Sequence, residues 1–384
     1  MARRIRSLDM LRGLVVVLMA LDHFIYFINR FHPSEFWITA PPVFPATAYA
    51  VFRLLSHLCA PGFLLLAGIS LVLFADKRRA DGRTPGEIRL SLIVRGLILL
   101  IVVQFMLEQA AWALGDLGGR GIALNVNIYP GAVTSRPIGY LGVIYVLAMC
   151  MVVGSFMYRL PQAVLAVIAV LSVVASPIVL ASVDSATTPI NPILNALFVP
   201  GVSAFFTNYP LFPWFGVFVA GVLVGRSIAA RGEEVLGRIW RPGLVALILG
   251  LAVRLWYPWG EFHRFQSERP GSFLELSKYP PSLAYLGITL GVLGLLLWVF
   301  HRFETARFIS WAGRFLEIFG REPLFFYILH LLVYGLLCLI VVLPPSPALT
   351  LAGWALSLAV FTPILVWFHK QKTAGRLPRY LGWL

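Results

Sequence analysis

Asp9, Arg12 and His23 form one stripe on an otherwise apolar segment near the start of the chain. The eleven residues from Arg12 to His23 make about three helical turns, so both face one way, and Asp9 lies about 40° from His23 around the axis. At roughly 1.5 Å per residue, His23 stands about 16 Å above Arg12, near the middle of a bilayer. A titratable residue at that depth is costly to keep and reads as part of a functional site. Its chemistry is proton transfer near neutral pH. Asp22 beside it can orient one ring nitrogen and leave the other as a base, as general-base catalysis requires. Adjacent helical residues diverge by about 100°, so Glu108, from another helix, is the other candidate for that role.

A second histidine reaches a similar depth. In Gly320-Arg321-Glu322-Pro323-Leu324-Phe325-Phe326-Tyr327-Ile328-Leu329-His330, Pro323 occupies a first helical turn, where its missing N–H costs nothing. Nine residues from Arg321 to His330 span about 13 Å, which allows His23 and His330 to share one cavity. A hydrogen-bonded packing role is the alternative for His330. His57, one turn after Arg53, lies nearer the opposite face, as an interfacial anchor or a substrate contact. Arg95 and Glu108 share a span but occupy widely different faces, so each needs a partner elsewhere. Trp214 opens a span and reads as an interface-belt residue, while Gly216, Gly221 and Gly225 are spaced for close helix packing.

The elements that position these residues are transmembrane helices. Hydrophobic residues make up 59% of the 384 and charged residues only 12%, with long apolar runs from end to end, so an all-α polytopic membrane protein is expected. Ten spans are predicted, at 11–29, 53–75, 91–114, 139–158, 161–182, 209–229, 242–258, 282–300, 321–343 and 348–369, in a single domain over 1–384. With the N-terminus inside, the cytoplasmic segments hold 22 Lys and Arg and the outer ones eight, which places both termini in the cytoplasm and the chain in the inner membrane. The eight are Arg30, Arg53, Arg120, Arg136, Arg254, Arg264, Arg269 and Lys278. A basic balance distributed this way reads as topology and anionic-lipid contact, and excludes a nucleic-acid module. Cys59, Cys150 and Cys338 fall inside spans without metal-ligand spacing and are expected as buried free thiols, and no metal site is expected. The longer loops, 30–52, 115–138, 183–208 and 259–281, are all on the outer side, which suits a bulky external ligand.

The segment Arg6-Ser7-Leu8-Asp9-Met10-Leu11-Arg12-Gly13, followed by Leu21-Asp22-His23, resembles the heparan-alpha-glucosaminide N-acetyltransferase catalytic-domain family and its bacterial relatives. The resemblance continues through His57-Leu58-Cys59-Ala60-Pro61, Phe212-Pro213-Trp214-Phe215-Gly216, Lys278-Tyr279-Pro280-Pro281-Ser282-Leu283 and Phe319-Gly320-Arg321-Glu322-Pro323. The Asp9–Arg12 stripe with a histidine at +14 is also similar to the membrane O-acyltransferases that decorate bacterial glycans, in which the first-span histidine is the expected catalytic residue. The best-known lysosomal branch lacks that histidine, so glucosamine specificity does not carry over.

The resemblance implies transmembrane acyl transfer, from cytoplasmic acyl-CoA (acetyl-CoA) to an amine or hydroxyl of a sugar or glycan on the far side. It implies catalytic roles among His23, His330, Asp22 and Glu108, and acyl-CoA held by Asp9, Arg12, Arg95 and Arg321, with Arg78 and Arg79 as further candidates. Acceptor contacts would come from Arg53, His57, Trp214 and Lys278. Membrane lipids are expected partners, and a homodimer is compatible with the sequence. Direct attack assisted by His23, and transient acylation of a histidine, both remain open. The competing reading is a transporter or lipid-linked-sugar flippase, for which ten spans and mid-membrane charges also suffice. Against it, no inverted repeat is visible between the halves. A scaffolding protein would leave the histidine stripe without a reason.

Overall fold

The computed structural model describes residues 4–31, 35–120, 137–183, 190–268 and 270–378. Most of the expected loop 115–138, with Arg136, lies outside the described residues, as do 184–189 of the loop 183–208, Arg269, and the chain from 379 onward.

Helix α1 (Arg6–Ile28) packs against the short α2 (Thr47–Ser56), α3 (Cys59–Ala80), α11 (Leu283–Arg302), α12 (Arg307–Arg321), α13 (Pro323–Leu337) and α14 (Pro347–Thr373), so the stripe-bearing helix is central. Around it, α4 (Pro85–Ile98) pairs with α6 (Val143–Met157), α7 (Gln162–Ala181) with α9 (Leu211–Arg231), and α10 (Trp240–Val253) with α11. A one-and-a-half-turn α8 (Pro192–Leu197) precedes α9. Among the described residues, seven helical stretches are long and apolar enough to cross a membrane. The shorter apolar helices α6, α10 and α13 fall where the other three spans are predicted. The chain is thus a mainly helical multi-pass membrane protein. Outer helices such as α7 and α14 carry their apolar side chains outward, among them Val167, Val170, Leu171, Leu356 and Val360, as lipid-facing surfaces do.

Local chemistry sets several boundaries. Thr84 and Glu87 form a reciprocal capping box ahead of α4, with Pro85 in its first turn. Ser282 caps α11 by accepting from the Tyr285 N–H. Close crossings rely on missing side chains. A Cβ on Gly13 would stand 1.9 Å from the Leu316 carbonyl oxygen of α12, and one on Gly320 1.9 Å from the Asp9 carbonyl oxygen. Gly221 meets the Leu65 carbonyl of α3 in the same way, and Gly225 lies against Ile69, so α3 and α9 touch backbone to backbone.

Three features differ from expectation. The stretch 302–321, expected as a cytoplasmic connection, contains α12, an amphipathic helix whose Trp311 and Phe315 stay exposed while its glycines seat on α1. After α4 the chain winds as a π-helix over Leu99–Glu108 before α5 (Gln109–Gly115), and that wider turn carries Gln104 and Glu108. A small three-stranded sheet joins β1 (Tyr140–Leu141), β2 (Gly201–Val202) and β3 (Phe206–Thr207) in the order β1-β3-β2. Periodicity does not announce such short strands, because two residues give no alternation to read.

Candidate active site

Helix α1 brings His23 to five residues from its C-terminal end, nearer that end than mid-helix. There its Nδ1 lies 2.8 Å from His330 Nε2. The rings are nearly parallel, 8° apart, with centroids separated by 5.1 Å, which is the N···N distance plus a ring radius at each end. They therefore meet edge to edge through an in-plane hydrogen bond, not face to face. His330 Nδ1 in turn lies 2.8 Å from the Phe326 carbonyl oxygen one turn back on α13. A carbonyl can only accept, so His330 Nδ1 carries hydrogen, and in the neutral ring Nε2 is then an acceptor. His23 Nδ1 must donate to it, and the lone pair of the pair falls on His23 Nε2. His330 is fully buried among Phe326, Tyr327 and Tyr334, whereas His23 is partly exposed.

The orienting group expected for the histidines is therefore a backbone carbonyl, and both carboxylates have other partners. Glu108 Oε1 accepts from Tyr327 Oη at 2.9 Å and Trp112 Nε1 at 3.2 Å, and Oε2 is buried without a hydrogen bond among the described residues. Trp112 and Tyr327 both stand edge-on to the His23 ring, so Glu108 reaches the histidines through them. The π-helical turn holds this carboxyl in place. Gln104 accepts from the Gly142 and Tyr145 N–H groups and donates to the Tyr140 carbonyl, which seats Gly142 where a Cβ would lie 2.6 Å from Glu108 Oε1.

Asp22 points into a different network. It accepts from Arg53 Nη1 at 2.8 and 3.0 Å and from Ser56 Oγ at 3.1 Å. Arg53 also forks onto Glu35, with Nε at 2.9 Å and Nη2 at 2.5 Å, and His57 Nε2 lies 2.8 Å from the same carboxylate. Burial pushes the Glu35 carboxyl up, but the Arg53 and His57 charges outweigh it and hold the group well below the usual carboxylate range. Lys278 is anchored through its backbone N–H to the Glu35 carbonyl, and its ammonium stands over the Tyr279 ring at 5.3 Å. Trp214 is fully buried between Tyr209 and Tyr285, so the interface-belt reading gives way to an interior one.

At the other end of α1, Arg12 donates to Asp9 Oδ1 (2.8 Å), the Gly320 carbonyl (3.2 Å) and Ser70 Oγ of α3 (3.0 Å). Arg4 also pairs with Asp9. Arg12 and Ser70 border two cavities. One, of about 630 Å³, is basic and opens beside Arg4 and Lys77. The other, of about 210 Å³, is walled mainly by apolar side chains of α3, α6 and α13, and Tyr327 is among its lining residues. Arg79, Arg159 and Arg226 border a third, of about 310 Å³, which shares Asp76 and Ala229 with the basic one. Arg95 lies over the Phe74 ring at 4.2 Å, and Phe74 lines the basic cavity, as Arg95 itself was expected to do. Arg321, expected beside it, pairs instead with Glu317, which also binds Arg6.

Sequence reasoning missed Ser70, Tyr327, Trp112, Gln104 and Glu35. Tyr327 had a signal, standing one turn before His330 on the same helix face. Glu35 had none, because its partners come from other elements.

No curated protein matches the chain. Residues 4–253, well over half of the chain, match the sequence profile described as heparan-alpha-glucosaminide N-acetyltransferase, catalytic. The matched stretch takes in His23, Arg53, Glu108 and Arg12 and stops short of His330. The chain therefore belongs to the heparan-alpha-glucosaminide N-acetyltransferase catalytic family.

Proposed function

We propose that the chain is a ten-span acyltransferase of the cytoplasmic (inner) membrane, with both termini in the cytoplasm. It moves an acyl group, acetyl first among candidates, from cytoplasmic acyl-CoA to an amine or hydroxyl of a sugar or glycan on the outer side. The observation that carries this reading is the His23–His330 hydrogen bond anchored on the Phe326 carbonyl, beside Tyr327, which lines one of the two cavities that meet at Arg12.

The donor's chemistry fits those cavities. Its phosphates suit Arg4, Arg12 and Lys77 at the basic mouth, with Arg79, Arg159 and Arg226 adjoining. Its thiol arm, an apolar chain broken by amides, suits the narrower cavity beyond Ser70. Arg12 stands between the two compartments, where it meets the phosphate end and Ser70 offers a hydroxyl to the arm. For the acceptor, Arg53, His57 and Lys278 are the candidate contacts, in the buried network beside Asp22.

In the transfer, His23 Nε2 takes the proton of the attacking amine or hydroxyl. The positive charge that develops on His23 is met by the lone pair of His330 Nε2, whose own tautomer the Phe326 carbonyl fixes. The same nitrogen is the nucleophile if the acyl group rests on histidine first. In direct attack the proton passes from His23 to the departing thiolate; by way of acyl-histidine the thiolate leaves first, and the acceptor's proton later returns to the departing imidazole.

The test is purified protein incubated with acetyl-CoA labelled in its acetyl group, beside His23→Ala. Thioester loss, or a labelled histidine, that disappears in the variant is the expected result. Failure of the wild type to bind or consume any acyl-CoA overturns the proposal.

A further inference from the structure

One residue joins all three parts of the site. Tyr327 lines the apolar cavity, its ring stands edge-on to His23 (6.4 Å, 70°) and His330 (5.8 Å, 77°), and its hydroxyl bonds the Glu108 carboxyl at 2.9 Å. It is 5% exposed, and its carboxyl partner lies in an unusual π-helical turn that Gln104 clamps in register. No cation pairs with Glu108 among the described residues, and its second oxygen is buried there without a hydrogen bond. A lone buried carboxyl of this kind is costly as an ion and useful as a neutral hydrogen-bond donor. A packing role for Tyr327 would explain its ring but not the elaborate seating of the group behind its hydroxyl.

We propose that Tyr327 is a further residue of the transfer site, whose hydroxyl donates a hydrogen bond to the carbonyl oxygen of the thioester, with Glu108 as the positioning residue behind it. This rests on the acyl-transfer reading above. When the thioester occupies the cavity beside Tyr327, the Tyr327 hydrogen turns to the substrate oxygen, and Glu108, carrying a proton, donates to the vacated face of the Tyr327 oxygen. As the acceptor's nitrogen or oxygen bonds to the carbonyl carbon, the C=O pair moves onto oxygen, where the Tyr327 hydrogen bond strengthens. Collapse restores C=O and breaks C–S, and the bonding pair leaves on sulfur. The proton that His23 removed from the acceptor neutralises that thiolate, so the products are the acylated acceptor and free thiol. Tyr327 and Glu108 exchange hydrogen bonds without net proton loss.

The experiment compares wild type, Tyr327→Phe, Glu108→Gln and Glu108→Leu, with acetyl-CoA as donor and glucosamine and glucose as probe acceptors. Melting temperature and acetyl-CoA binding are measured on each. The expected result is a roughly 10²-fold fall in kcat for Tyr327→Phe with donor binding and KM near wild type. Glu108→Gln, whose amide can still donate to the Tyr327 oxygen, should stay within about tenfold of wild type, and Glu108→Leu should fall with Tyr327→Phe. Wild-type kcat in Tyr327→Phe, or a loss confined to KM, overturns this proposal alone. A wild type that turns over no acetyl-CoA with either probe acceptor or with water overturns the acyl-transfer reading, and this proposal with it.

Discussion

Asp22 and His23 are neighbours in the chain, yet they belong to polar regions built on opposite principles. The region around Asp22 is saturated with charge. Arg53 spends its whole fork on two carboxylates, and Glu35 is shared again with His57. The region around His23 aligns the two histidines on one carbonyl oxygen and on aromatic walls. A saturated network resists rearrangement, because removing any member strands a buried charge. A neutral pair whose outer nitrogen carries the lone pair can take up a proton and give it back. The helix puts one network on each side of α1 because successive side chains diverge by about 100°.

Substitutions in the two regions should therefore fail in different ways, one in turnover and the other in stability. The largest effect belongs to His23→Ala, which is expected to lower acetyl-CoA turnover by about 10² to 10⁴-fold. Its melting temperature should stay close to wild type, and a large drop there would collapse the distinction. Arg53→Met is the mirror case, with a loss of about 3–5 kcal/mol of stability because Glu35 is left buried, and Asp22 partly buried, without that cation. Denaturation of the detergent-solubilised variant reads that loss, and a variant as stable as wild type would show that the network is not a structural clasp. Between the regions, Gln104→Leu strips the Gly142 and Tyr145 N–H groups of their acceptor, for about 1–3 kcal/mol. It should also lower turnover by displacing Glu108, measured as kcat with donor binding intact.

The smallest effect is a dependence on acid. Glu35 titrates below its ordinary range in the folded protein, so its contribution is complete above the unfolded-state value of about 4.3. That contribution is lost as pH falls below this value toward the depressed folded one. Melting curves from about pH 6 downward should therefore drop more steeply for wild type than for Glu35→Gln, and parallel curves would remove Glu35 from the clasp.

Much of this architecture can be read in the chain because lipid leaves few options. Apolar runs must be helices, and a histidine counted in turns from Arg12 or from Arg321 must arrive at a depth where the two can meet. What the count does not supply is direction. Asp22 turns to Arg53 because α2, 31 residues later, returns alongside α1, and no local pattern encodes that approach. The π-helical turn is equally silent in sequence, since Leu99–Glu108 is apolar enough for an ordinary helix and the register is decided by Gln104 gripping the Tyr140–Tyr145 segment. Helix α12 escapes a search for spans because its apolar residues lie on only part of its circumference.

The crossing of α1 and α12 bears on how such a sequence can vary. Gly13 and Gly320 bring the two backbones together beside Asp9 and Arg12, and Gly320 also lends its carbonyl to Arg12. Even one added methyl at either place would lever α12 outward and shift the guanidinium that divides the two cavities. The residues with the least chemistry of their own thus have the narrowest freedom to mutate, while the lipid-facing apolar residues of α7 and α14 can drift among themselves. A saturation-mutagenesis profile should therefore be deepest where the side chain is a single hydrogen atom.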